Sequence, residues 1–178
     1  MQDFTIVCAA LISITSLAAL IDHRSGIIPN YLTYTALIAA LIVHGIARGP
    51  AGFIESAMGA AISFFVPYLA FRARAMGGGD VKLFTALGAI AGPGIGLEIE
   101  LVSLATIYLY GIVLVTTRGG LKQTVENSWR IALNLFLPRS RRKPVQTESL
   151  TSFRLGGAIL FGTSACVVDH LWLSGWML

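Results

Sequence analysis

Charge is scarce in this chain. Asp, Glu, Lys and Arg make up only 12% of its 178 residues, about half the share that a soluble domain carries. So little charge cannot cover a water-facing surface. Cysteine is nearly missing as well. Cys8 and Cys166 lie far apart in apolar stretches, with no CxxC and no zinc-type spacing, which leaves them as buried structural thiols. The three histidines, His23, His44 and His170, form no HExxH pair, so a metalloprotease is disfavoured and no metal or other cofactor is expected. The first apolar run, residues 4–21, is preceded by Asp3 and by no Lys or Arg. A cleaved signal peptide needs a basic start, so this run reads as a retained span. No internal repeat and no low-complexity tract is present.

Apolar residues are what the chain has in abundance. They reach 55% of the sequence, with a mean hydropathy of +0.74, and the class that follows is an all-α polytopic membrane protein. Measured against the roughly 20 residues that cross a bilayer, about six transmembrane helices are expected. They fall near residues 4–21, 31–47, 52–71, 81–97, 99–117 and 155–177, in one domain over 1–178. The fourth is interrupted by Gly92, Pro93, Gly94 and Gly96, and Glu98 and Glu100 are assigned to the loop that follows it. The net charge of +4 reflects topology and not nucleic acid. All but one of the 13 basic residues fall in the odd loops, and Arg48 stands alone in the even ones. By the positive-inside rule the odd loops face the cytoplasm and both termini face outward, as in an inner-membrane protein.

The long loop of about 118–154 is itself patterned. Leu121, Val125, Trp129, Ala132, Leu133 and Phe136 recur at helical spacing, which predicts an amphipathic helix lying on the cytoplasmic leaflet. The basic run Arg139-Ser140-Arg141-Arg142-Lys143 follows and would favour anionic membrane lipids.

Of four aspartates, two fall at the same cytoplasmic boundary. Asp22 ends the first span, in Asp22-His23-Arg24-Ser25-Gly26-Ile27-Ile28-Pro29-Asn30. Asp80 opens the fourth, in Met76-Gly77-Gly78-Gly79-Asp80-Val81-Lys82-Leu83. Desolvation and mutual repulsion make it costly to ionise two such carboxyls together. A pair of this kind holds one shared proton near neutral pH, the state an aspartic protease uses. Each acid also has a structural alternative: Asp80 as a helix N-cap, and Asp22 as half of an ion pair with Arg24, since a carboxylate at a helix C-terminus opposes the macrodipole. Gly77, Gly78 and Gly79 spend backbone freedom that a helix start does not need. They fit a place where backbone must come close to something, such as an extended substrate strand.

Asp22 with Arg24 and Ile28-Pro29-Asn30, taken with Gly77-Gly78-Gly79-Asp80-Val81-Lys82-Leu83, closely resembles the type IV prepilin peptidases, a GxGD class of aspartyl proteases. The resemblance extends over essentially the whole chain. It implies cleavage of the short basic leader of prepilin precursors at the cytoplasmic face, with Asp22 and Asp80 catalytic, Gly77, Gly78 and Gly79 shaping the site, and no metal. Larger members carry an N-terminal extension with paired CxxC motifs and a methyltransferase activity. This chain lacks the motifs, and so looks like the short peptidase-only branch of Flp/Tad pilus systems. Ser152-Phe153-Arg154-Leu155-Gly156-Gly157-Ala158 loosely resembles the family's final-span entrance. The competing classes are a small proton- or ion-coupled transporter, since acids in membranes commonly mark such pathways, and an inactive family member acting as a scaffold.

Overall fold

The computed structural model describes residues 2–73, 75–118 and 155–176, together with Glu126 and Trp129. All of the secondary structure among them is helical: α1 (Gln2–Ser25), α2 (Asn30–Arg72), α3 (Gly78–Arg118) and α4 (Leu155–Trp176). All four are long and apolar enough to cross a membrane. The amphipathic helix expected over 121–136 lies outside the described residues, apart from Glu126 and Trp129, both exposed. The basic run at 139–143 and the segment 152–154 lie outside them too.

α1 stops where a glycine permits it. Gly26 adopts a left-handed φ of 69°, and its N–H donates to the Asp22 carbonyl at 2.8 Å, closing the last turn as an αL cap. Pro29 then holds extended backbone (φ −73°, ψ 141°) and launches α2, since proline has its φ preset and no N–H to lose.

α2 and α3, at 43 and 41 residues, would be about 60–65 Å long if straight, twice the hydrocarbon thickness of a bilayer. Neither is straight. Gly49 (φ 67°, ψ −155°) interrupts α2 and Gly92 (φ 79°, ψ 176°) interrupts α3. Each is followed by a proline at the first position of the resumed helix, where it is best tolerated. Across the first break Arg48 bonds Glu55 at 3.0 Å, and a Cβ on Gly45 would lie 3.7 Å from Phe53. Across the second, a Cβ on Gly96 would lie 2.8 Å from the Gly88 Cα. Residues eight apart in a continuous helix stand about 12 Å apart, so the chain doubles back at both glycines.

The second break falls earlier than the sequence pattern implied. Glu98 and Glu100, assigned to a loop, both lie inside the resumed helix. The reversal is made by Gly92-Pro93, whose backbone alone permits it, and not by the acidic pair downstream.

α2 packs along α3, and α4 packs against α3 and α1. Small residues allow the closest approaches: a Cβ on Gly59 would stand 2.8 Å from the Gly92 carbonyl carbon and 3.0 Å from that of Gly88. Around this seam Leu11, Leu83, Phe84, Leu87, Ile99 and Ile159 are fully buried. The outside is equally apolar. Ile46 and Tyr108 are 81% and 71% exposed, which suits lipid as solvent. Hydroxyls in the apolar helices bond back to their own backbone, as Thr15 does to Leu11 and Thr163 to Ile159.

Candidate active site

Asp22 sits in the last turn of α1 and is buried, 6% exposed; Asp80 sits in the first turn of α3 and is 9% exposed. The charge of Asp22 reaches Asp80 as a repulsion, so the two acids share one end of the bundle. The alternatives considered for each acid fare differently. α3 begins at Gly78, so Asp80 lies within the first turn and is not the residue that precedes it. Arg24 is exposed, and no ion pair between it and Asp22 forms among the described residues.

What holds Asp22 is a group far away in sequence. The N–H of Gly156, in the first turn of α4, donates to Asp22 Oδ2 at 3.1 Å within the buried interior. The N–H groups of a first helical turn have no partner in their own helix, and the positive end of the α4 dipole favours a carboxylate there. A side chain at 156 would not fit, because its Cβ would lie 3.0 Å from both the Cβ and the Oδ2 of Asp22 and 3.1 Å from the Ala19 Cα.

The glycines before Asp80 each meet a different neighbour. A Cβ on Gly77 would stand 2.8 Å from Asp80 Oδ2, one on Gly78 would stand 3.5 Å from the Phe71 ring, and one on Gly79 would stand 3.1 Å from the Ile28 Cβ. Gly79 thus brings the start of α3 against the Ile28-Pro29-Asn30 segment. The contact continues through Lys82, whose Nζ donates to Asn30 Oδ1 at 2.7 Å and lies 5.1 Å from the centre of the Tyr34 ring. The two sequence motifs are therefore one piece of structure.

Two polar features outside this site were not apparent from sequence. Glu100 is 1% exposed, and both of its carboxyl oxygens lack a hydrogen-bond partner among the described residues, as do the hydroxyls of Ser63 and Ser103. At the Gly49 and Gly92 turns, about 18 Å along α3 from Asp80, a cavity of about 300 Å³ is lined by His44, Arg48, Glu55 and Ile90 among others. There His44 Nε2 donates to the Ile90 carbonyl at 3.1 Å and Ser56 Oγ to the Ala89 carbonyl at 2.8 Å. Both cover carbonyls released by the break at Gly92. Cys8 and Cys166 are buried and unpaired with each other. Among the described residues no group of three His, Cys, Asp or Glu side chains is placed to hold a metal.

The model of the type IV leader peptidase family matches residues 9–117, which contain both acids and the glycines around the start of α3. The chain belongs to that family. It is 36% identical over 80 residues to a prepilin leader peptidase/N-methyltransferase of Vibrio cholerae, a stretch covering 40% of this chain and 31% of that protein. It is 38% identical over 73 residues to the prepilin peptidase EppA of Methanothermobacter thermautotrophicus, covering 39% of this chain and 19% of that protein. The chain thus spans less than a third of the length of either relative in the matched region. No solved structure matches.

Proposed function

We propose that this leader peptidase family member is a membrane aspartyl endopeptidase that removes the short leader of prepilin precursors, with Asp22 and Asp80 as its catalytic pair. The observation that carries the reading is the burial of two acids from distant segments at one end of the bundle, close enough to repel one another. Burial and repulsion together favour one shared proton. The unprotonated carboxyl then takes a proton from water as the water oxygen attacks the scissile carbonyl carbon. The protonated carboxyl gives its proton to the carbonyl oxygen, forming a gem-diol. On collapse, the C–N bond breaks and the first carboxyl passes its proton to the departing amine. The second recovers its own proton from the diol hydroxyl, which restores the starting pair. Gly77, Gly78 and Gly79 keep the approach to Asp80 free of side chains and so shape the site.

In this reading the reversals at Gly49 and Gly92 divide α2 and α3 into two spans each, giving six in all. The basic residues of the odd loops set the aspartates on the cytoplasmic side of the inner membrane. In this reading the substrates are prepilins of the Flp/Tad type. The basic run of residues 139–143 favours anionic membrane lipid. The test is co-expression with a candidate prepilin. A precursor shortened by its leader in the presence of the wild-type chain supports the assignment, and a precursor left at full length overturns it.

A further inference from the structure

We infer that Gly156 is a positioning residue for this reaction, its backbone N–H fixing the Asp22 carboxyl at the end of α1. The inference rests on the proposed peptidase reading and extends it to α4, which lies outside the region matched by the family model.

Three observations converge. First, Asp22 lies in the last turn of α1, where the negative end of the helix dipole opposes a carboxylate. The burial of Asp22 therefore calls for a compensating donor. Arg24 does not supply one, and Gly156 does, at 3.1 Å. Second, an N–H only donates, so the oxygen it meets is an acceptor. The bond engages Oδ2 and leaves Oδ1 for proton exchange in the reaction. Third, the contact depends on glycine. A Cβ at 156 would press on the Cβ and Oδ2 of Asp22 and on the Ala19 Cα, all within about 3 Å, and would turn the carboxylate away. The neighbouring Gly157 has open space around it, so the demand for a missing side chain is specific to one position.

Sub-ångström placement of a reacting group governs the rate more than substrate affinity. Gly156→Ala should therefore lower kcat on a purified prepilin precursor by roughly 10- to 100-fold, the worth of one hydrogen bond to a charged group, while KM stays within about threefold. Gly157→Ala is the control and should leave both unchanged. Because an added methyl also presses on Ala19, the second variant replaces Gly156 with glycolic acid. That change exchanges the N–H for an ester oxygen and adds no atom, and it should reproduce the kcat loss with KM again unchanged. Wild-type cleavage together with kcat within about twofold of wild type in the glycolate variant overturns the positioning role and leaves the peptidase reading standing. A loss confined to KM, or one matched by Gly157→Ala, also overturns it. A wild-type chain that leaves the precursor uncut overturns both.

Discussion

Lys82 donates to the Asn30 side chain at 2.7 Å across the gap between two segments that are remote in sequence. The bond fastens the start of α3 to the start of α2. Asp80 lies two residues before Lys82, so its position is fixed by this clasp and by the close approach of Gly79 to Ile28. The clasp is exposed, and a hydrogen bond for which water competes contributes little to global stability. Its effect should fall on geometry. Lys82→Met and Asn30→Ala should each lower processing by about three- to tenfold, with melting temperature nearly unchanged. The double variant should be no worse than either single one, because both remove the same bond. Additive losses in a double-mutant cycle would separate the two residues.

Asp22→Asn and Asp80→Asn should each abolish leader removal, with losses of at least about 10²- to 10⁴-fold, while the protein accumulates normally. Asparagine keeps the shape and an acceptor oxygen, so Gly156 retains its partner in Asp22→Asn. What it loses is the exchange of a proton with water or with the carbonyl oxygen. A purely structural Asp80 predicts near silence, since Asn serves a helix start about as well as Asp. Immunoblots of precursor and mature product alongside enzyme level separate these outcomes. Retained cleavage by well-expressed Asp80→Asn protein would sink the assignment.

Much of this site was legible in the chain itself. Two acids at one predicted depth, three glycines before the second, and Ile-Pro-Asn after the first already marked the segments that pack together. Their clasp through Lys82 and Asn30 was not foreseen, although both residues belong to those motifs. The role of Gly156 was illegible for a physical reason. A backbone N–H is common to almost every residue, so composition carries no trace of which one will donate, and 134 positions separate it from Asp22. The reversal in α3 was misplaced because acids suggested a loop. Glu100 instead lies fully within the bundle, and the turn belongs to Gly92-Pro93, where only glycine adopts the required φ easily.

Glu100 supplies a prediction about stability. Its two carboxyl oxygens are buried and without partners among the described residues, and an unsatisfied buried polar group costs about 1–3 kcal/mol. Replacing it with an apolar residue of similar length removes that cost. Glu100→Leu should raise stability by about that amount, whereas Glu100→Gln, still polar and still buried, should change it little. Unfolding in detergent, followed by helical signal, measures both. A marked loss of stability in Glu100→Leu would mean that the carboxyl has a partner in the membrane-embedded protein.

The last prediction concerns how the long helices lie in the bilayer. A straight α2 of 43 residues would overrun the hydrocarbon by about 30 Å, carrying charged or polar ends far into water. On the six-span reading, doubling back at Gly49 would keep both halves within the membrane, and the same would hold for α3 at Gly92. Both reversals lie at the end of the bundle opposite Asp22 and Asp80. Single cysteines placed at Gly49 or Gly94, in a chain with Cys8 and Cys166 replaced, should therefore react with a membrane-impermeant thiol reagent added outside intact cells. Cysteines at Ile27, Gly77 or Lys143 should react only after the cells are opened. The Gly49 position carries a left-handed φ, so Gly94, which has open space around it, provides the safer outer site. Labelling of position 143 from outside would invert the orientation. Protection of position 94 on both sides would mean that the Gly92 reversal does not reach the surface, and the six-span arrangement would fall with it.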